Sequence, residues 1–276
     1  VLSKLLKASS QVMKVLFVGD QDQLPSVGPG FVLKDLLDSK VFPIISLSYN
    51  YRQIEGSEVI DLALNVNDGS FEVAHYHKDV KFFDTKLYPG VESILKIVKE
   101  ARDRGYSIFD IQVLAPVYRG SLGIDNLNYW LQKAFNPESK TKRSIQFGNR
   151  IFREGDKILQ LKNQPDDFVY NGDIGILIEI DDDKNVLVDF EGTYVSYASG
   201  DLINITHAYC MSVHKSQGSE YPIVILLALD RYYGMLSKRL YYTGITRSSK
   251  SLILMGDKTA FIKAAPENQA DAPSSY

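Results

Sequence analysis

The sequence predicts an α/β protein: a parallel sheet with helices on both faces and a small antiparallel barrel set into its second half. Three observations predict it. The run from Ile223 to Leu229 is apolar throughout, as expected of a strand buried on both faces. From residue 15 to about residue 135, short apolar runs alternate with helix-period segments, the rhythm of a doubly wound sheet. Between about Glu138 and Ile205 short strands are separated by turn residues without helices, which suits an inserted barrel of about 60 residues.

Composition sets the outer limits. A chain of 276 residues with 45% hydrophobic and 24% charged residues is globular and long enough for two or three compact units. A net charge of −3 and a pI near 5.9 exclude a histone-like polyelectrolyte but leave room for a local basic groove. The lone cysteine, Cys210, has no partner for an internal disulfide and no metal-ligand spacing, so it reads as a small buried residue in a reducing cytoplasm. No apolar run is long enough to span a bilayer, and the N-terminus lacks a signal pattern, which again points to the cytoplasm. Val1 already lies within a helix-like pattern, so further residues are expected ahead of it.

In order, Leu2, Leu5 and Leu6 mark a short helix, and Val15 to Val18 reads as a buried strand ending at Gly19-Asp20. The loop GDQDQLPSVGPG from Gly19 to Gly30 follows, then a helix from Phe31 to Ser39. Strand, glycine-rich loop and helix form the layout of a nucleotide site at the carboxyl end of a strand. Ile44 to Ser48 reads as a strand running into Tyr51-Arg52-Gln53; an arginine in that place is ordinarily a surface residue. Ser57 to Val66 is expected to be helical, Val80 to Phe83 a strand, and Val91 to Arg104 a helix stopped by Gly105. Ile111 to Val117 is a strand, followed by Arg119 in a turn and a helix from about Leu122 to Phe135.

The inserted region begins with a basic stretch that includes Lys140, Lys142, Arg143, Arg150, Arg153, Lys157 and Lys162. Strands are expected at Ile174 to Ile180, Val186 to Phe190 and Thr193 to Tyr197, with Asp181 to Asn185 as a hairpin tip. The basic residues are either a solvated face or part of a phosphate-backbone path. Next comes THAYCMSVHKSQGSEYPIVILL, in which Ser212, His214, Lys215, Gln217, Gly218 and Glu220 crowd a polar loop directly ahead of the most apolar strand. A polar loop beside such a strand commonly carries function, and Gly218 allows close backbone approach to a ligand. A helix from Ser237 to Arg247, a strand from Leu252 to Met255 and a helix from Lys258 complete the pattern. The polar segment 266–276 is expected to be disordered.

GDQDQLPSVGPG (19–30), NYRQ (50–53), VHKSQGSEYPIV (213–224) and YTGITRSSKSLIL (241–253) follow the order and approximate spacing of the later motifs of superfamily-1 helicases. They most closely resemble the RecD-like branch, which includes the exonuclease V alpha subunit. The resemblance runs from Val15 to about Ala264 and implies a RecA-like, P-loop NTPase-type parallel sheet with an inserted SH3-like β-barrel. It implies residues 1–45 as the end of a first motor domain, 46–145 with 206–265 as a second, and 146–205 as the barrel.

By similarity, Gln23 senses the γ-phosphate of ATP from the first domain, while Arg52 and Arg247 reach it from the second. Positioned guanidinium groups stabilise charge on a transferred phosphoryl group, so these three are the expected catalytic residues. Asp20, Gly218 and Glu220 are the expected nucleotide-binding residues, Glu220 through the ribose. Ser212, His214, Lys215 and, through a phosphate, Arg119 are expected to face single-stranded DNA. The implied cofactors are ATP and Mg²⁺, and other helicase or nuclease subunits are candidate partners.

No G-x-x-x-x-G-K-[ST] occurs in the chain, and no acidic pair follows a buried strand ahead of Gly19. The expected identity is therefore the C-terminal portion of a longer DNA helicase, unable to hydrolyse ATP alone, with its Mg²⁺ ligands upstream. The resemblance implies 5′ to 3′ travel and a place in recombination and repair. A non-catalytic DNA-binding module, the helicase part of a conjugative relaxase fusion and an RNA helicase stay open.

Overall fold

In the computed structural model, α1 (Leu2–Ala8), α2 (Val32–Ser39) and α3 (Glu58–Asn67) precede β1 (Val80–Asp84). Then come α4 (Gly90–Asp103), β2 (Ile111–Leu114) and α5 (Ile124–Phe135). Strands β3 (Ser144–Phe147), β4 (Arg150–Arg153), β5 (Lys157–Gln160), β6 (Ile174–Ile180), β7 (Val186–Phe190), β8 (Thr193–Tyr197) and β9 (Ile205–His207) follow without an intervening α-helix. The chain closes with β10 (Cys210–Met211), β11 (Tyr221–Ala228), α6 (Lys238–Ile245), β12 (Ser248–Gly256) and α7 (Lys258–Ala264). The structure describes residues 2–9, 14–25, 30–47, 56–73, 75–87, 89–229 and 236–264; Arg52 and the segment 266–276 lie outside them.

The motor sheet has the order β1-β12-β11-β2-β10, and each of its pairings is parallel. Its central strand, β11, explains the layering. Side chains alternate across a strand, and both sets here are apolar. Val224, Leu226 and Ala228 pack with α3, α6 and α7 on one face, and Ile223, Ile225 and Leu227 pack with α4 and α5 on the other. Gly244 lets α6 sit close against this strand, since a Cβ there would lie 2.9 Å from Leu226 Cδ1. At the edge, Asn128 of α5 stands in for a neighbouring strand: its amide accepts from the Cys210 N–H and donates to the Cys210 carbonyl, both at 2.8 Å. A helix side chain thereby satisfies the open edge of β10.

Helix boundaries follow local chemistry. Ser57 caps α3 by accepting from the Val59 N–H, and Ser237 caps α6 by accepting from Leu240. Gly105, at φ +92°, turns the chain away after α4. Glu58, at the start of α3, accepts from the backbone N–H groups of His77, Lys78, Asp79 and Val80 at 2.8–3.2 Å, which fixes the entry into β1. Burial opposes its charge, yet these four donors hold its carboxyl down at about 2.

The inserted region is an antiparallel sheet of order β8-β7-β6-β5-β9 with the hairpin β3-β4 beside it, around a core that includes Phe152, Ile158, Leu177, Val188 and Tyr197. The expected strands β6, β7 and β8 are present; β3, β4 and β5 lie within the stretch read only as basic. Strand β9 carries the barrel sheet to His207 through its pairing with β5.

Two expected strands are not strands. Residues 15–18 and 44–47 belong to no strand, with Leu16, Val18, Ile45 and Leu47 each more than 80% exposed. An apolar run becomes a strand only where a neighbour supplies ladder partners, and none of the described strands lies beside them. Among the described residues no helix is long and apolar enough to cross a membrane.

Candidate nucleotide cleft and nucleic-acid groove

The 19–30 loop is fastened at its start. Asp20 accepts from the Asp22 N–H at 3.0 Å, from the Gln23 amide at 3.1 Å and from the Tyr242 hydroxyl of α6 at 3.2 Å. Asp22 accepts from Asn67 of α3 at 3.0 Å. The adjoining Leu24 receives α6 from one side, its N–H donating to Thr243 Oγ1 at 2.8 Å. Asp20 and Gln23, with Gly19, Pro25, Phe31 and Arg239, line a cleft of about 350 Å³, within the size range of ligand sites. Arg239 went unnoticed in the sequence because nothing in its spacing marks it; it is buried, with its guanidinium 4.3 Å above the Phe31 ring.

Arg247 follows α6 and is 2% exposed. Its Nε donates to the Thr243 carbonyl at 3.0 Å, Nη1 to the Ser219 carbonyl at 2.9 Å and Nη2 to Thr246 Oγ1 at 3.3 Å. The guanidinium is thus aimed by protein oxygens toward the 217–220 turn. Gly218, at φ +84° with open space where a Cβ would stand, forms that turn, since a positive φ costs glycine little.

The structure therefore brings Asp20, Gln23, Gly218 and Arg247 together around one end of α6. Glu220 is placed differently. It is exposed and lines a separate cleft of about 480 Å³ with Phe109, Lys157, Asp173 and Tyr221, between the motor sheet and the barrel. Arg52 lies outside the described residues. Among the described residues no group of three or more His, Cys, Asp or Glu side chains is arranged to hold a metal ion.

A groove of about 550 Å³ runs between α5, the barrel and β10. Ser212 and Lys215 line it with Tyr118, Tyr129, Arg150 and Arg153. Lys215 donates to Asn171 Oδ1 of the barrel. Arg150 is held by the Ile205 carbonyl at 2.8 Å. Partial burial lowers the pKa of both Lys215 and Arg150. His214, on the single 3₁₀ turn Val213–Ser216, and Arg119, in the turn before α5, are exposed and do not line the groove. That turn is tight: a Cβ on Gly123 would stand 2.5 Å from the Arg119 carbonyl carbon.

Beneath the groove lies a polar network the sequence reading did not single out. Asp156, fully buried, accepts from Gln132 at 2.6 Å, the Arg153 N–H at 2.7 Å, Asn136 and the Tyr209 hydroxyl at 2.8 Å, and His207 at 3.2 Å. Burial raises its pKa, and these donors, His207 foremost, bring it below the ordinary value. The network joins α5, the β4–β5 turn and β9, so it locks the barrel to the motor sheet.

Comparison with known proteins agrees with this architecture. Residues 127–190 match the SH3 domain of ATP-dependent RecD-like DNA helicases, residues 207–255 the UvrD-like helicase C-terminal domain, and residues 2–84 an AAA domain. The ATP-dependent RecD2 DNA helicase of Deinococcus radiodurans is 32% identical over 273 residues, covering 98% of this chain and 36% of that protein. The RecBCD enzyme subunit RecD of Mycolicibacterium smegmatis is 26% identical, covering 98% of this chain and 50% of that one. The chain thus spans between about a third and a half of these relatives. Among solved structures, the Pif1 helicase of Candida albicans aligns with a TM-score of 0.56 at 17% identity, over 91% of this chain and 65% of its own. The Bacteroides Pif1 helicase in complex with ADP-AlF3 and ssDNA aligns with a TM-score of 0.53 at 16% identity, over 91% of this chain and 64% of its own. With a RecA-like parallel sheet, a RecD-type SH3 barrel and relatives matched over nearly its whole length, the chain belongs to the RecD-like superfamily-1 helicases.

Proposed function

We propose that this chain is the C-terminal motor region of an ATP-dependent DNA helicase. It couples ATP hydrolysis to 5′ to 3′ travel along single-stranded DNA and to duplex unwinding, in cytoplasmic recombination and repair. The observation that carries the reading is the convergence of the Asp20–Leu24 loop, the 217–220 turn and the Arg247 end of α6. ATP would lie against this convergence, with Gln23 and Arg247 donating to its terminal phosphate and Asp20 orienting Gln23. Bound ATP supplies the phosphoryl group whose transfer to water releases the free energy for movement, with Mg²⁺ expected alongside it on ligands upstream of this chain. To reach a phosphate oxygen, Arg247 exchanges its bond to the Ser219 carbonyl while Thr243 keeps Nε in place. Its charge is thereby delivered without reorganising the helix. Glu220 lines the barrel cleft, so to meet the ribose its side chain would have to turn out of that cleft.

Single-stranded DNA would occupy the groove between α5 and the barrel, its phosphates against Lys215, Arg150 and Arg153 and its bases against Tyr118 and Tyr129. The test is ATP turnover by the full-length polypeptide with and without single-stranded DNA. DNA-stimulated turnover abolished by Arg247→Ala is the expected result, and turnover by residues 1–276 alone would refute the upstream placement of the missing phosphate loop. Fluorescence anisotropy should show binding that weakens with salt, with a slope of about −2 to −3 in log–log form for three to four phosphate contacts. Flat anisotropy at low salt would remove the groove assignment.

A further inference from the structure

Leu24 is gripped by its backbone on both sides. Its N–H donates to Thr243 Oγ1 at 2.8 Å, and its carbonyl accepts from Gln217 Nε2 at 2.6 Å. The two gripping side chains come from segments about 200 positions away: Thr243 is fully buried in α6, and Gln217 follows the 3₁₀ turn that carries Lys215. Thr243 has a second task, because its carbonyl accepts from Arg247 Nε at 3.0 Å. One residue therefore fixes both the loop next to Gln23 and the guanidinium expected to act with it. A hydroxyl acceptor and a carbonyl acceptor on the same helical residue cannot move independently. The separation between the two phosphate-sensing groups is accordingly set by α6 and not by the loop.

We propose that Thr243 and Gln217 are positioning residues: they clamp the Leu24 backbone so that Gln23 and Arg247 close on a nucleotide phosphate as one unit. Through Gln217 the clamp also meets the turn bearing Lys215 at the nucleic-acid groove, which gives DNA binding a short mechanical route to the phosphate sensors. The inference rests on the motor reading above.

Two measurements on the full-length polypeptide test it. In the nucleotide-free protein, hydrogen exchange at the Leu24 amide should be protected, with protection lost in Thr243→Val and retained in Thr243→Ser. In steady-state turnover with single-stranded DNA, Thr243→Val and Gln217→Leu should each lower kcat on the order of tenfold while KM for ATP stays within about twofold. The serine variant should keep most of the rate, and the double variant should fall little below either single one, because both break the same clamp. Equal Leu24 exchange in the unsubstituted and valine proteins overturns the clamp. Lost protection with unchanged kcat, or losses that multiply in the double variant, overturns its role. Absence of turnover in the unsubstituted protein overturns the motor reading, and the clamp's catalytic role with it.

Discussion

Replacing Asp156 by Asn should loosen the barrel from the motor sheet. The substitution keeps the shape but turns one carboxylate oxygen into a donor. One oxygen accepts from Asn136 and Tyr209, the other from Gln132, the Arg153 N–H and His207. Whichever way the new amide is turned, at least two buried donors lose their acceptor. Each unpaired buried donor costs about 1–3 kcal/mol, and stripping the charge from a buried hydrogen-bonded cluster brings the total to about 3–5 kcal/mol. For a chain of this size that lowers the melting temperature by roughly 10 °C. Differential scanning calorimetry reads the loss. Because Gln132, Arg153 and His207 also line the groove, single-stranded DNA anisotropy should weaken in parallel. The folded pKa of Asp156 is depressed, so its contribution is complete above the ordinary carboxylate range and is lost as pH falls through the lower folded value. A melting temperature within 2 °C of the parent, together with unchanged DNA binding, would show that the network does not hold the barrel and would refute the reasoning.

Four other substitutions have defined outcomes. Glu58→Gln removes the carboxylate that ties the start of α3 to the N–H groups of residues 77–80, and should cost about 2–3 kcal/mol in urea unfolding at pH 7. Since its folded pKa is depressed to about 2, the difference from the parent should shrink as pH falls from about 4.5 toward 2, and a constant difference would refute the assignment. Lys157, fully buried, donates to the carbonyls of Ile108 and Ile111 and to Gln112; burial pushes its ammonium down to about 7, against the pull of Asp110. The unfolded chain then holds more protons than the folded one above pH 7, so stability should rise between pH 7 and about 9, and Lys157→Met should abolish that rise. Parallel pH profiles would count against it. Gly256→Ala should prevent folding or cost more than about 3 kcal/mol, because a Cβ there would lie 1.7 Å from the Ala228 carbonyl oxygen. Gly218→Ala, with open space but φ +84°, should cost only about 1 kcal/mol, and equal losses at the two positions would contradict the packing argument.

What could be read of the fold followed the strength of local pattern. Strand β11 announced itself because burial on both faces demands an unbroken apolar run, and β6, β7 and β8 because they are short runs separated by turn residues. Strands β3 and β4 escaped notice because each is only four residues long and β4 has no alternation to read: Ile151 is exposed, whereas Phe152 and Arg153 are both buried. The opposite error, at residues 15–18 and 44–47, has the same root. Apolar character states that a segment can be buried in a sheet, whereas pairing depends on a neighbour that the segment does not encode.

The candidate site divides along a similar line. Gln23, Gly218 and Arg247 stood out in motifs whose order along the chain signals a shared task, and the structure gathers them around α6. The contacts that do the gathering were invisible. Leu24 and Thr243 are 219 positions apart, and Asp156 collects donors from residues 132 to 209. No local spacing links such pairs. Charge shows the difference most plainly: in a chain of net −3, one groove gathers Lys133, Arg150, Arg153 and Lys215 against the two carboxylates Asp125 and Glu138, while Asp181, Asp182 and Asp183 sit at the β6–β7 hairpin tip of the barrel. With a screening length of roughly 8 Å at physiological salt, a phosphate in the proposed groove would respond to the charges around it and hardly at all to the total. Binding there would be decided by the local field, which is set by the side chains that the barrel and α5 turn toward the groove.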